Sequence, residues 1–181
     1  MLVSKNSSDG AILLALNRDG YFENRYERYT FDRDDGSSRN SIVCMSTFDS
    51  AVKLVCTLPS VTKNIYVTVT EGDANVVCRV LAVLEDFERI DAVKLGNVVL
   101  IDDPDLKANQ ICGVILLPGR VFNVLDYLPN NQIIDSVEYY FIAVVFLTDE
   151  ENEIRRSRGH DALMDYWTEI DKDLISFGVK F

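Results

Sequence analysis

Residues 138–159 read EYYFIAVVFLTDEENEIRRSRG and combine the patterns of a strand and a helix with no loop between them. In the first half, apolar residues follow one another without alternation, which is typical of a strand buried on both faces. Thr148, with Glu151 three residues later, has the form of a capping box, and Gly159 is well placed to end a helix. The stretch therefore predicts a central strand that leads directly into a helix over 149–158.

Segments with strand patterns surround this stretch. They comprise residues 26–32, 40–47, 51–58, 64–70, 96–101, 110–117 and 121–128. The turn residues of 34–38 predict a hairpin that joins the first two segments. Within 64–70, Ile65, Val67 and Val69 alternate with the other residues, so we expect this strand to be half-buried.

Two further helices are indicated by apolar residues spaced three and four positions apart. One covers residues 73–89, and we expect Glu85, Asp86 and Glu88 on its outer, acidic face. The other covers residues 161–175 and carries the single tryptophan of the chain on its apolar face.

These patterns together predict an α+β fold. We expect a single domain over residues 1–181, with a central mixed or antiparallel sheet flanked by helices at about 73–89, 149–158 and 161–175. Residues 1–40 are interpreted as N-terminal strands. No internal repeat, low-complexity tract or long linker divides the chain.

Acidic residues dominate the charge of the chain. The sequence has 29 Asp and Glu against 18 Lys and Arg, which gives a net charge of −11. Such a surface repels nucleic acid phosphates and anionic lipid head groups, and it attracts a basic protein. No apolar run approaches the roughly 20 residues that cross a bilayer, and the start of the chain lacks the pattern of a signal peptide. We expect a cytoplasmic protein with no nucleic-acid or membrane partner.

The residues that usually perform chemistry are few and scattered. Cys44, Cys56, Cys78 and Cys112 each lie within an apolar run, as free thiols do in a reduced compartment. The single histidine, His160, follows a glycine at a helix junction, where a surface position is expected. The chain contains no glycine-rich phosphate loop and no metal-binding pair. The sequence therefore predicts no enzyme activity, no cofactor and no metal.

Four stretches carry, in order, a pattern that other proteins share. Within 46–59 an STF segment precedes an apolar strand closed by TLP, and a helix follows around 76–87. Within 95–118, LGNVVLIDDPDL leads into the strand CGVILLPG. FIAVVFLTDEENEIRRSRGHDAL then takes a buried strand into a capped helix, a glycine and another helix. From roughly residue 41 onward, the chain resembles the suppressor-of-fused-like domain family.

This resemblance implies an α+β binding domain without enzyme activity. The family's namesake in animals holds a transcription factor. In bacteria such domains occur in polymorphic toxin systems, where they resemble immunity proteins that neutralise a partner toxin. The small size of the chain is similar to the bacterial, stand-alone form. The family has no catalytic motif to carry over, so the resemblance implies no catalytic residue.

Two groups of acidic residues are candidates for binding a partner. Asp102, Asp103 and Asp105 are expected in a loop between two strands, where they would form a solvated turn, an acidic binding patch or a cation site. Glu150 and Glu153 lie near the start of a helix, where they suit the helix dipole and are also able to face a basic protein.

Tyr127 is the aromatic candidate, because exposed tyrosines in surface loops often anchor interfaces. Arg155 lies four residues after Glu151, so we expect an ion pair between them on the helix surface.

Three functions remain open from the sequence. We favour a non-enzymatic protein-binding module, specifically an immunity protein whose partner is a basic toxin domain. The second is a regulatory or scaffold protein that sequesters a cellular factor. The third is a hydrolase that uses the carboxylates of Asp102 and Asp103, with or without a metal.

Overall fold

The computed structural model describes residues 8–18, 20, 22–23, 25–32, 39–47, 51–58, 62–90, 93–122 and 125–175. Its helices are α1 (Ser8–Leu16), α2 (Ala74–Ile90), α3 (Pro104–Ala108), α4 (Asp149–Arg158) and α5 (His160–Glu169). Its strands are β1 (Glu27–Asp32), β2 (Arg39–Ser46), β3 (Lys53–Leu58), β4 (Asn64–Thr70), β5 (Val98–Leu100), β6 (Ile111–Pro118), β7 (Asn131–Ile134) and β8 (Val137–Thr148). In the described part of the chain, none of these helices is both long and apolar enough to cross a membrane.

The sheet is built around β8. The strand order is β1-β2-β3-β4-β8-β6-β5, and β7 also pairs with β8. β8 runs parallel to β4 on one side, and on the other it pairs antiparallel with β7 and then with β6. The remaining pairs are antiparallel, so the sheet is mixed. The predicted α+β fold, with a central strand at about 138–148, is confirmed.

Helices cover both faces of the sheet. On one face, Leu81 of α2 joins Tyr66 of β4 in a core of buried side chains. On the opposite face, Leu13 of α1 and Trp167 of α5 join Phe141 of β8 in a second core. The expected position of the tryptophan in the core is therefore confirmed.

The strand β4 is buried on both of its faces. All residues from Ile65 to Thr70 are buried, so the expected half-exposure is wrong. The alternation along β4 matches the two faces of the strand, but α2 covers the face that was expected to meet solvent.

The acidic residues Glu85, Asp86 and Glu88 of α2 are buried or half-buried rather than fully exposed. Glu85 is only 2% exposed. Asn40 at the start of β2 donates to Asp86 Oδ1 at 3.1 Å, and the hydroxyl of Tyr66 donates to Glu88 Oε2 at 3.0 Å. The predicted acidic outer face is therefore wrong: Glu85 is buried, and polar side chains of β2 and β4 donate hydrogen bonds to Asp86 and Glu88.

The N-terminal part contains a helix that was not predicted. Residues 8–16 form α1 rather than a strand, and Ile12, Leu13 and Leu16 are buried at helical spacing. The predicted pairing of the next two strands is confirmed by the antiparallel pair β1 and β2. The turn proposed at 34–38 lies outside the described residues.

Two boundaries in the second half also differ from the prediction. The described residues of 121–128 form no strand, and β7 follows them instead. β7 joins β8 through Asp135 and Ser136, whose φ values of 50° and 67° fit a two-residue type I′ hairpin. Asp-Ser is a weaker turn signal than Asn-Gly, so the sequence did not reveal this hairpin. At the other end, α5 ends at Glu169, before the expected residue 175.

β5 packs closely against β6 at Gly113, and a substitution there tests this packing. A Cβ atom at this position would lie 2.3 Å from the carbonyl oxygen of Val99 and 2.9 Å from Leu100 Cα, so the backbone of β5 would have to move. We expect Gly113→Ala to lower the free energy of unfolding by about 1–3 kcal/mol, measured by urea denaturation. An unchanged unfolding midpoint would contradict this packing.

Candidate functional site

The three aspartates at 102–105 surround the start of a short helix. They lie between β5 and β6, as expected, but this connection is more than a loop, because α3 begins at Pro104 and Asp103 caps it. Asp103 Oδ1 accepts hydrogen bonds from the backbone N–H groups of Asp105 at 2.8 Å and Leu106 at 3.2 Å. Asp103 therefore satisfies amides that the first turn of a helix leaves without partners.

Basic side chains of the same chain bind these aspartates. Arg79 of α2 donates from Nε to Asp103 Oδ2 at 2.9 Å and from Nη2 to Asp105 Oδ2 at 2.5 Å. The Lys107 ammonium lies 2.5 Å from Asp102 Oδ1 at the surface. Burial raises the pKa of Asp103, but hydrogen bonds from Arg79 and two backbone amides outweigh this effect and leave the pKa below its usual value. The three carboxylates therefore face two cations and do not form a free acidic patch.

A cleft of about 490 Å³ opens beside this cluster, next to β5 and the start of α4. It is lined by Leu100, Ile101, Asp102, Lys107, Gln110, Ile111, Cys112 and Asp149. Leu100 is 64% exposed, whereas Ile101 and Ile111 are buried. The cleft therefore combines exposed apolar surface with two exposed carboxylates, those of Asp102 and Asp149. Within the described residues, no group of three or more His, Cys, Asp or Glu is placed to hold a metal ion.

Cys112 lines the cleft at an irregularity of β6. The pairing register between β6 and β8 shifts between Ile111 and Gly113. The Cys112 thiol lies 3.4 Å from the carbonyl oxygen of Thr148 and 3.5 Å from that of Leu147. Burial, followed by the charge of Asp149, raises the pKa of Cys112. All four cysteines are free thiols, and Cys112 is the half-buried one.

The acidic start of α4 has an exposed and a buried side. Asp149 lines the cleft, and Glu150 and Glu153 are exposed. Glu151 is 4% exposed and completes the predicted capping box: its Oε2 accepts from the backbone N–H of Thr148 at 2.8 Å. The capping box is therefore confirmed, and Gly159 is the C-cap of α4, as expected.

Glu151 also has two partners that the sequence did not reveal. The indole N–H of Trp167 donates to Glu151 Oε1 at 2.9 Å, and Lys172 forms an ion pair with the same oxygen. A buried indole needs an acceptor, so a partner for Trp167 was foreseeable although its identity was not. The expected pair between Arg155 and Glu151 is wrong, because Arg155 donates to the carbonyl oxygen of Gly96 at 3.1 Å.

Tyr127 lies at a different place. It lines a groove of about 500 Å³ beside α1, together with Ala11, Leu14, Ala15, Arg18, Pro129 and Gln132. Its hydroxyl donates to the carbonyl oxygen of Leu16, and the side chain is half-buried. The groove and the cleft share no lining residue, so the structure brings Asp102 close to the start of α4 but not to Tyr127.

Comparison with known proteins identifies the fold. No family model matches the chain, and no curated protein matches it. Its structure is similar to a crystal structure of a proposed suppressor-of-fused homologue from Neisseria gonorrhoeae FA 1090, with a TM-score of 0.70 and 14% sequence identity. The similarity covers 96% of this chain and 95% of that one. The chain therefore has the fold of a suppressor-of-fused-like domain, as its sequence resemblance implied.

The cap at Asp103 gives a testable dependence on pH. We expect Asp103→Ala to lower the free energy of unfolding by about 1–2 kcal/mol at pH 7. The pKa of Asp103 is lower in the folded chain than the roughly 3.9 of an unfolded aspartate. The part of the stabilisation that depends on its charge is therefore present above about pH 4 and is lost as the pH falls through the folded-state value.

Urea denaturation of the unaltered chain and of Asp103→Ala, each at pH 7 and at pH 3, measures this loss of unfolding free energy and its dependence on pH. Asp102→Ala is the matched control, because the Asp102 side chain is 88% exposed and we expect a change below about 0.5 kcal/mol. Equal losses in the two variants would contradict the capping role of Asp103.

Proposed function

We propose that the chain is a protein-binding module, and that it is an immunity protein that neutralises a basic toxin domain by occluding its active site. The observation that carries the proposal is the cleft beside β5, where the exposed Leu100 lies with the carboxylates of Asp102 and Asp149. Exposed apolar surface bordered by polar groups is typical of interaction sites. The net charge of −11 favours a basic partner and speeds its encounter with the domain.

The position of β5 adds support for a protein ligand. β5 is the last strand in the order of the sheet, and among the described strands only β6 pairs with it. An edge strand presents backbone N–H and C=O groups with which another chain is able to pair. An edge strand next to a partly apolar cleft favours a protein partner over a small molecule.

The aspartates and the cysteine near the cleft support binding rather than catalysis. A general base needs access to the proton that it removes, whereas Asp103 and Asp105 are bound by Arg79. Burial raises the pKa of Cys112, which lowers the fraction of reactive thiolate at neutral pH. We therefore propose a non-enzymatic protein that needs no cofactor. All four cysteines are free thiols, as is typical of a reducing compartment, and we propose that the protein acts in the cytoplasm.

A pull-down of the tagged chain from its native cells, followed by mass spectrometry after a moderate salt wash, tests the proposal. Recovery of one basic toxic protein in stoichiometric amount would support the immunity function. Recovery of a housekeeping factor would instead favour a regulatory protein that sequesters it. If nothing is retained at any salt concentration and the purified chain shows no binding to basic toxin domains, the proposal is wrong.

Leu100→Asp tests whether the cleft is the binding surface. Leu100 is 64% exposed, so the substitution should leave folding intact while it places a charge in the apolar part of the contact. We expect the affinity for the recovered partner to fall by about thirtyfold or more, as for a residue at the centre of an interface. Ile133→Asp on β7 is the matched control, since Ile133 is 72% exposed and lies outside the cleft. Equal losses in both variants would place the interface elsewhere.

The charge of the domain predicts how the association rate depends on salt. Opposite charges steer two proteins together at low ionic strength, and salt screens this attraction. We expect the association rate constant, measured by stopped flow or biosensor, to fall steadily between about 0.05 and 0.5 M salt as the Debye length shortens. A rate constant that does not change with salt would remove the electrostatic part of the proposal.

A further inference from the structure

The residues after α5 turn back against the end of the sheet. We call residues 170–175 the latch. The latch begins at the end of α5, where Asp171 has a φ of 49°, and the backbone N–H of Lys172 donates to the carbonyl oxygen of Trp167 at 2.9 Å. At its other end, the carbonyl oxygen of Ile175 accepts from the backbone N–H of Glu71 at 3.3 Å. The latch is therefore attached to the fold at both of its ends.

The side chain of Lys172 holds the middle of the latch in place. Its ammonium group pairs with Glu151, donates to the carbonyl oxygen of Phe146 at 3.2 Å, and lies 4.8 Å from the centre of the Trp167 ring. The side chains of Lys172 and Glu151 are only 14% and 5% exposed. Loss of one member of such a pair leaves the other charge buried without its partner, which destabilises the local structure strongly.

Glu151 connects this ion pair to the wall of the cleft. One carboxylate oxygen binds Lys172 and Trp167, and the other accepts from the backbone N–H of Thr148. The carbonyl oxygen of Thr148 lies 3.4 Å from the thiol of Cys112. Thr148 also directly precedes Asp149, which lines the cleft with Cys112. A continuous series of contacts therefore runs from Lys172 through Glu151 and Thr148 to Cys112.

We propose that Lys172 and Glu151 are positioning residues for the cleft, and that detachment of the latch opens the cleft wall at Asp149 and Cys112. While the latch is closed, Glu151 is held between Lys172, Trp167 and the end of β8. When Lys172 leaves, the buried carboxylate turns toward water and releases the N–H of Thr148. Of the two capping-box hydrogen bonds, the end of β8 and the start of α4 then keep only the one from the Glu151 backbone N–H to the Thr148 hydroxyl, at 3.2 Å.

The biological use of this coupling rests on the proposed function, because the cleft is the proposed partner-binding site. A closed latch keeps the cleft wall in the arrangement that binds the partner. Because coupled equilibria are reciprocal, a bound partner in turn stabilises the closed latch. The coupling itself is measurable on the purified chain alone, so its failure and the failure of the proposed function are distinguishable.

The rate at which 5,5′-dithiobis(2-nitrobenzoate) labels Cys112 measures how accessible the cleft wall is. Cys112 is half-buried, whereas Cys44, Cys56 and Cys78 are at most 5% exposed. We expect Lys172→Met to raise the labelling rate of Cys112 by about tenfold or more through local opening, while the other three thiols remain protected. Mass spectrometry of peptides taken during the reaction assigns the label to each cysteine. A pH profile of the rate separates better access to Cys112 from a change in its pKa.

Two substitutions serve as controls for Lys172→Met. Lys172→Arg keeps the positive charge, so Cys112 in this variant should be labelled slowly, as in the unaltered chain. A purely steric role of the side chain would not predict slow labelling with Arg and fast labelling with Met. Arg156→Met removes a cation from an exposed position on α4 and should leave the rate unchanged. Trp167→Phe keeps an aromatic ring but removes the N–H donor to Glu151, and it should raise the rate of Cys112 by a smaller factor.

The outcomes separate the proposal from its alternatives. If Cys112 in folded Lys172→Met reacts at the rate of the unaltered chain, the latch does not position the cleft wall. If all four cysteines accelerate together, the substitution acts through global unfolding and the proposal is also overturned. Should Lys172→Met fail to fold, Trp167→Phe decides: acceleration at Cys112 alone supports the proposal, and an unchanged rate overturns it.

Discussion

The Glu151 carboxylate is the group on which the arrangement of β8, α4 and α5 depends. It is 4% exposed, and a buried carboxylate is stable only when it is paired and hydrogen-bonded. Its partners come from three segments: Thr148 at the end of β8, Trp167 in α5, and Lys172 beyond α5. These contacts bring the strand, both helices and the latch together, and Asp149 at the cleft lies next to them in the chain.

The acidic residues of the chain include some that are bound internally and others that are exposed. Asp86, Glu88 and Asp103 accept hydrogen bonds from side chains on other elements of the fold. Glu150 and Glu153 are exposed near the start of α4. The net charge of −11 sets the sign of the long-range field around the protein. At the cleft, the Asp102 carboxylate is paired with Lys107, and the Asp149 carboxylate is exposed.

Local signals in the sequence were sufficient for the central strand, the capping box at Thr148 and the helix over 74–90. They failed where distant segments decide the outcome. The half-buried positions of Asp86 and Glu88 depend on polar groups of β2 and β4, and α1 depends on the core that it covers. For the candidate site, the sequence indicated Asp102, but not that β5, the β6 irregularity and the start of α4 form one cleft. Lys172 carries no local signal, because its role arises only when the latch folds back.

Hydrogen exchange of the full chain, measured by mass spectrometry with and without the partner recovered from native cells, tests the proposed binding site most directly. Binding at the cleft predicts slower exchange in β5, at 110–112 and at the start of α4, with no change along α1. Protection confined to α1 and the groove at Tyr127, or no protection at the cleft in a saturated complex, would contradict the assignment of the cleft as the binding surface.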